Sequence, residues 1–333
     1  MTSVILHLSD LHAGPPFNPE KARLVLEEAW RIKPDLVVLS GDFVQRAVFK
    51  AQWMTVRAFI NDLPQPTIAV MGNHDVPLYN PIYRVLRPNY YFQKYLSPEL
   101  EPTWSNDDFV IAGVNTTRSW TKDGGKLTDT QLARLERRLG QYPDRLCKMV
   151  VMHHHPVMPP GETRSVIKNA PAALQSFDRA KVELVLCGHT HASYIGNTLE
   201  FDPSLRQGTV IVQAGTATSR RGRRWYRGKN AFNVIAVEDQ RTVITQHLFL
   251  EDAGRFVPVS QHRFPRRSAG VYALPVEERA EVVVAAQTPS ESQRADRKIE
   301  QVAESLTPRP EPNSPATPEN PQDLVAQREG ESS

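Results

Sequence analysis

Five times within its first 191 residues the chain ends a short apolar run in a knot of Asp, Asn, His and Gly. Residues 4–6 lead to Asp10-Leu11-His12, residues 36–39 to Gly41-Asp42, and residues 67–70 to Gly72-Asn73-His74-Asp75. Residues 148–151 lead to His153-His154-His155-Pro156, and residues 183–186 to Gly188-His189-Thr190-His191. The runs have the length and β-branched content of buried strands. Polar groups at the C-terminal ends of neighbouring strands converge on one crevice of an open α/β sheet. A lone Gly-Asp is a turn, and a lone Asp-x-His is common. All five knots in this order, each after a strand signal, point to a metal centre. Carboxylate, amide and imidazole together suit borderline divalent metals and not an all-oxygen calcium cage.

Between the strand signals lie helix signals. Asn18 before Pro19 reads as an N-cap with proline at the first helical position, opening a helix that runs to about residue 32, where Pro34 stops it. Thr128 with Gln131 reads as a capping box for a helix to residue 139. Further strand signals lie at residues 110–112 and 209–212, and two more, at 232–237 and 243–250, have no helix between them and suggest an added antiparallel portion. Residues 1–265 read as the folded part. Beyond residue 270 the composition changes: residues 273–333 carry twelve acidic and six basic side chains, with Thr307-Pro308-Arg309-Pro310-Glu311-Pro312 among them. So few large apolar residues cannot offset the entropy of ordering, so 271–333 reads as a disordered acidic, Pro-rich tail of unknown partner. Within it Ala295, Ile299, Val302 and Leu306 have helical spacing.

The formal charge of +3 excludes a global polybasic nucleic-acid binder. No apolar segment approaches the ~20 residues a membrane span requires, and the first six residues lack a signal-peptide pattern. Cys147 and Cys187 adjoin apolar runs and read as buried free thiols. A reduced cytoplasm fits this composition.

The five motifs, Asp10-x-His12, Gly41-Asp42, Gly72-Asn73-His74-Asp75, His153 and Gly188-His189-x-His191, resemble the signature of the calcineurin-like metallophosphoesterase superfamily over roughly residues 1–250. The histidine triplet before Pro156, and Gln45 after Gly41-Asp42-Phe43-Val44, are most similar to the bacterial class III cyclic-nucleotide phosphodiesterases. The resemblance implies a four-layer αββα sandwich with mixed sheets and two divalent ions, Mn, Fe or Zn. Carried onto this chain, it implies Asp10, His12 and His191 at one metal, Asn73, His153 and His189 at the other, and Asp42 bridging. Of the three consecutive histidines, His153 at the strand end is the chosen ligand and His155 the runner-up. Two metals ~3.5–4 Å apart activate a hydroxide and clamp the phosphoryl oxygens during in-line displacement. His74 matches the family's acid position and would protonate the leaving oxygen. Asp75 would orient His74 or serve as a turn carboxylate.

Two flanking features bear on the substrate. The aromatic residues of 77–104 (Tyr79, Tyr83, Tyr90, Tyr91, Phe92, Tyr95 and Trp104) form a lid over the site or a packed excursion with its own small core. Arg220, Arg221 and Arg223, in the basic loop after residue 213, contact substrate phosphate or form a solvated loop. The leading reading is a phosphodiesterase acting on a small phosphate ester, with a 3′,5′-cyclic nucleotide among the candidates. A phosphomonoesterase or protein phosphatase, a nuclease (Asp10-Leu11-His12-Ala13-Gly14 also resembles the superfamily's repair exonucleases) and a metal-free scaffold are the competing readings.

Overall fold

The computed structural model describes residues 2–121, 124–159, 161, 164–222 and 226–267. The chain divides at Ala273/Leu274 into two units. Every described residue belongs to the first, and the tail, including its candidate helix, lies outside the described residues.

Alternating strands and helices build two sheets. The first has the order β12-β11-β10-β1-β2-β3. Its strands β1 (Ser3–Leu8), β2 (Leu36–Leu39) and β3 (Thr67–Ala69) are parallel. The strands β10 (Ala231–Val237), β11 (Arg241–Leu250) and β12 (Arg255–Pro265) extend it as an antiparallel meander from β1. The second sheet has the order β4-β5-β6-β7-β9-β8. Here β5 (Phe109–Gly113), β6 (Cys147–Val151), β7 (Leu184–Cys187) and β9 (Val210–Gln213) run parallel, and β4 (Thr103–Ser105) and β8 (Tyr194–Asn197) close the edges antiparallel.

Fully apolar strands with both faces covered require a layer on each side. Ile5, Val38, Ile111, Met149, Leu186 and Val212 fill the space between the sheets. The outer face of the first sheet packs on α1 (Pro19–Ile32) and α2 (Lys50–Asn61) through Leu6, Val25, Trp53 and Phe232. The outer face of the second packs on α5 (Asp129–Gly140) and α6 (Ala170–Arg179) through Leu135, Val150 and Phe177. The result is the expected αββα sandwich with mixed sheets.

The helices begin where their caps dictate. The Asn18 side chain accepts from the N–H groups of Glu20 and Lys21, and α1 ends on Lys33 in the left-handed conformation, φ 53°, directly before Pro34. Thr128 and Gln131 form the reciprocal capping box of α5. Leu132, Leu135 and Leu139, spaced three and four apart, turn into the core, each contributing roughly 1.5–3 kcal/mol relative to exposure. Both cysteines are buried and free.

Residues 77–104 hold α3 (Pro81–Leu86), α4 (Tyr90–Tyr95) and the start of β4. Their rings pack on one another and on the body: Tyr83 lies 4.9 Å from Tyr90, Tyr95 stacks on Trp53 at 5.9 Å, and Phe92 meets Phe43 at 5.9 Å. These rings are thus engaged with one another and with the body of the fold. Only Tyr79, 64% exposed, stands clear of the cluster, with the Arg46 guanidinium over its ring at 4.6 Å.

Candidate metal centre

The polar knots meet across the ends of both sheets. Asp10 and His12 follow β1, Asp42 follows β2, Asn73 follows β3, His153 follows β6, and His189 and His191 follow β7. The expected crevice of one open sheet is thus corrected to a seam between two sheets, the first contributing four of the groups and the second three.

All seven side chains are buried. Five of these residues, Asp10, His12, Asp42, His189 and His191, hold φ between 49° and 75°, a left-handed conformation unfavourable for side chains with a Cβ. Such strain persists only where surrounding structure over-determines it, and it clusters at functional sites. The adjoining glycines have a steric reason. A Cβ on Gly72 would collide with the Asp42 backbone nitrogen and carboxylate, and one on Gly188 with Ser9 Oγ and the Asp10 carboxylate.

Two ligand-type clusters result, one of Asp10, His12, Asp42 and His191, the other of His153, His154 and His189. In the first, His12 Nε2 lies 3.0 Å from His191 Nε2 and 3.6 Å from both Asp10 Oδ1 and Asp42 Oδ2, and His191 Nε2 lies 3.1 Å from Asp10 Oδ1. In the second, His189 Nδ1 lies 3.0 Å from Asn73 Oδ1 and 3.3 Å from His153 Nε2, which in turn lies 3.2 Å from Asn73 Oδ1. Asp42 spans both: its Oδ2 faces His12 and its Oδ1 faces His153 Nε2 at 3.4 Å.

The donor set fits divalent cations. Asp10 Oδ1 and Asp42 Oδ2 are buried and accept no hydrogen bond, a costly state unless a positive ion meets them. Backbone carbonyls fix two of the rings. His153 Nδ1 donates to Ser40 O at 2.7 Å and His191 Nδ1 to Arg221 O at 2.8 Å, so each turns Nε2 inward toward the carboxylates; burial would lower the His153 imidazole, but Asp42 outweighs it and pushes it up to about 9. Burial pulls His12 down to about 3 and His189 well below the usual imidazole range, which keeps both neutral. Burial would raise the Asp10 and Asp42 carboxyls, but His191 beside Asp10 and His153 beside Asp42 outweigh it and hold both well below the carboxylate range.

Of the three consecutive histidines, His153 faces Asp42 and Asn73. His154 bonds Thr116 Oγ1 through Nδ1 at 2.8 Å and packs 4.6 Å from the His189 ring, and His155 stacks farther off at 5.9 Å. His74 Nδ1 meets Gln45 O at 3.0 Å, which leaves Nε2 as its second working nitrogen. Asp75 does not touch the His74 ring. Its carboxylate instead accepts from the N–H groups of Gly72, Asp42, Phe43 and Val44 at 2.8–3.2 Å, bracing the loop that carries Asp42.

Of the basic loop, Arg221 reaches the centre, its Nη1 3.0 Å from both His74 Nε2 and Gln45 Oε1. Arg220 is exposed, and Arg223 lies outside the described residues. Thr216 and Thr218 of the same loop donate to the carbonyls of Asp10 and Leu11 at 2.7 and 2.9 Å, buttressing the first knot from behind. Sequence reasoning missed Arg164, whose Nη1 donates to His189 O at 2.6 Å and lies 3.2 Å from both ring nitrogens. It lies in the connection between β6 and α6, outside any motif, and no periodic or local signal marks it.

The family model for calcineurin-like phosphoesterases matches residues 3–193, more than half of the chain. The chain belongs to this family. It is a metal-dependent phosphoester hydrolase. A probable cyclic nucleotide phosphodiesterase of a Synechococcus strain is 28% identical over 208 residues, 59% of this chain and 76% of the relative. One of Xenorhabdus bovienii is 30% identical over 180 residues, 50% of this chain and 66% of the relative. A probable glycerophosphodiester phosphodiesterase of Arcobacter nitrofigilis is 27% identical over 167 residues, 48% of this chain and 57% of the relative. Among solved structures, a purple acid phosphatase from yellow lupin seeds shares the fold at TM-score 0.60 and 12% identity, over 83% of this chain and 57% of that one. The structure of PhoD does so at TM-score 0.52 and 12% identity, over 78% of this chain and 72% of that one. None of the described helices is long and apolar enough to cross a membrane.

Proposed function

We propose that this phosphoesterase uses two divalent ions to hydrolyse phosphodiesters, with cyclic nucleotides among its substrates. The observation that carries the reading is Asp42, a buried carboxylate with one oxygen toward each cluster. In this reading Asp10, His12 and His191 hold one ion, Asn73, His153 and His189 the other, and Asp42 serves both. Mn, Fe and Zn all suit the mixed donors. When bound, such a pair supplies Lewis acidity that activates water and neutralises phosphoryl charge.

The chain's own groups do the rest. His74 is the general acid. Gln45 O holds Nδ1, so the proton for the leaving oxygen sits on Nε2. Arg221 donates to that nitrogen when the ring is neutral. Gln45 Oε1 holds the Arg221 guanidinium beside that nitrogen, where it would pair with the substrate phosphate. Arg164 approaches from the His189 side. The relatives' printed names, two of them probable cyclic nucleotide phosphodiesterases, support the diester.

Two guanidiniums at the centre favour a second reading, a phosphomonoesterase, because a dianion gains more from added cations than a monoanion does. The pair of bis(p-nitrophenyl) phosphate and p-nitrophenyl phosphate separates them. The diester reading expects the higher kcat/KM on the bis-aryl ester at matched metal loading, with turnover of at least one 3′,5′-cyclic nucleotide. A clear monoester preference with no cyclic-nucleotide turnover would replace it with the phosphatase.

A further inference from the structure

Beside the metal centre, on the His74 side, lies a groove of about 720 Å³. Its walls are Pro15, Pro16, Gln45, Arg46, Phe49 and Gln52, and Arg221 joins it to the centre through its contact with His74. The volume falls within the ~300–1,000 Å³ typical of small-molecule sites. Phe49 is the N-cap residue of α2, where it makes no side-chain cap bond, and it stays 49% exposed. A Ser or Asp there would satisfy an orphan N–H at the helix end, so an exposed phenyl ring at this position lacks a helical rationale. The two adjacent prolines add a second rigid apolar face. Gln45 and Gln52 each use the side-chain oxygen within the fold, the first toward Arg221 and the second toward the Arg46 N–H at 2.8 Å. Their NH₂ groups remain as donors into a largely apolar wall. Arg46 adds a cation at the outer side, stacked on Tyr79.

We propose that this groove is the subsite for the leaving arm of the diester and that it selects an arm bearing a planar aromatic ring, a nucleobase or an aryl group. The proposal rests on the phosphodiesterase reading and on His74 as the acid. In the reaction a water oxygen forms the new P–O bond, and the proton it releases passes to solvent, from which His74 is later reprotonated. The P–O bond to the arm breaks with its electron pair on the arm oxygen, and the His74 proton converts that oxygen to a hydroxyl. The leaving oxygen therefore lies within hydrogen-bond reach of His74 Nε2, and the arm attached to it continues past Arg221 into the groove. There the ring lies against Phe49 and the prolines, with its polar edge toward the glutamine amides.

The test uses the full chain, metal-loaded, with Phe49→Ala and Phe49→Tyr. The substrates are bis(p-nitrophenyl) phosphate and methyl p-nitrophenyl phosphate, which share a leaving arm and differ in the retained one. The expected result for Phe49→Ala is a KM about tenfold higher on both, with kcat nearly unchanged, because the lost contact is the same before and during bond breaking. Phe49→Tyr keeps the ring and should restore wild-type KM. A loss confined to the bis-aryl ester would assign the groove to the retained arm and overturn the proposal. Unchanged KM on both would remove the groove from substrate binding altogether. Failure of the underlying reading looks different: the wild-type protein itself would turn over neither diester.

Discussion

His74 and Asp42 occupy adjoining positions with separable duties. Asp42 Oδ1 accepts the His74 backbone N–H at 2.8 Å, so the ligand-type carboxylate holds His74 in place through the main chain and not through its ring. Replacing the ring therefore leaves this link intact. For His74→Asn, metal content measured by elemental analysis should match the wild type. Turnover should drop roughly 10²–10⁴-fold for esters with poor leaving groups and far less for an activated aryl ester, whose leaving oxygen needs little protonation. Asp42→Asn should instead lose metal and turnover together, because one carboxylate faces both clusters. Equal losses on both ester types for His74→Asn would remove His74 as the acid. A fully loaded, fully active Asp42→Asn protein would remove Asp42 as the shared group.

Between elements, the decisive joint is the clasp of Asp75 on the Gly41–Asp42 loop. The short helix at Asn73–Asp75 delivers a buried carboxylate to four backbone N–H groups from two strand ends, Gly72 after β3 and Asp42, Phe43 and Val44 after β2. Burial and the neighbouring Asp42 push the Asp75 carboxyl up to about 8, and without it these donors lose their acceptor, each such bond contributing roughly 0.5–1.5 kcal/mol. Asp75→Ala should lower the unfolding free energy in urea by at least ~3 kcal/mol and weaken metal retention, while Asp75→Asn, which keeps one accepting oxygen, should cost less. If Asp75→Ala were as stable as the wild type, the clasp would be a spectator. The clasp also accounts for the motif itself: glycine at 72 lets the Asp42 loop approach, and the carboxylate three residues later ties it down.

On the scale of the whole molecule, the two sheets must stay in register for the seam to exist. Far from the centre in sequence, Arg266 after β12 ties them. It is 2% exposed, pairs with Glu183 at 3.0 Å, and donates to the carbonyls of Glu238 and Arg145 at 3.1 and 2.8 Å. Glu238 follows β10 in the first sheet, while Arg145 and Glu183 precede β6 and β7 in the second. Burial raises the Glu183 carboxyl above its usual range against the pull of Arg266, so the pair only partly offsets its own desolvation. Arg266→Met, which leaves Glu183 charged and buried, should cost about 3–5 kcal/mol in denaturant titrations. The double variant Glu183→Met/Arg266→Met should recover a good part of that loss. A double variant no more stable than Arg266→Met would mean that the backbone contacts, and not the ion pair, carry the joint.

The local chemistry was legible in the sequence because it is local. Asn18-Pro19 and Thr128/Gln131 specify helix starts within four residues. Apolar runs such as 36–39 and 148–151 have the length of buried strands, and each motif places its ligand-type groups within four residues of a strand end. Other elements carried no such signal. The edge strand β12 alternates with few buried positions and contains two prolines, so neither hydropathy nor propensity marked it, and β4 and β8 are only three and four residues long. Tertiary structure alone decided that the knots meet across two sheets, since periodicity within one strand says nothing about which sheet it joins. It also decided that His153, and not its neighbours, faces Asp42. The strand end favours His153 in the sequence, but only the Ser40 carbonyl and the direction of the chain leaving β6 turn its ring toward Asp42. Arg164 reaches His189 from 25 positions away, and Arg221 reaches His74 across 147. Such contacts depend on how packed layers bring loop ends together, a property of the closed sandwich and of no segment within it.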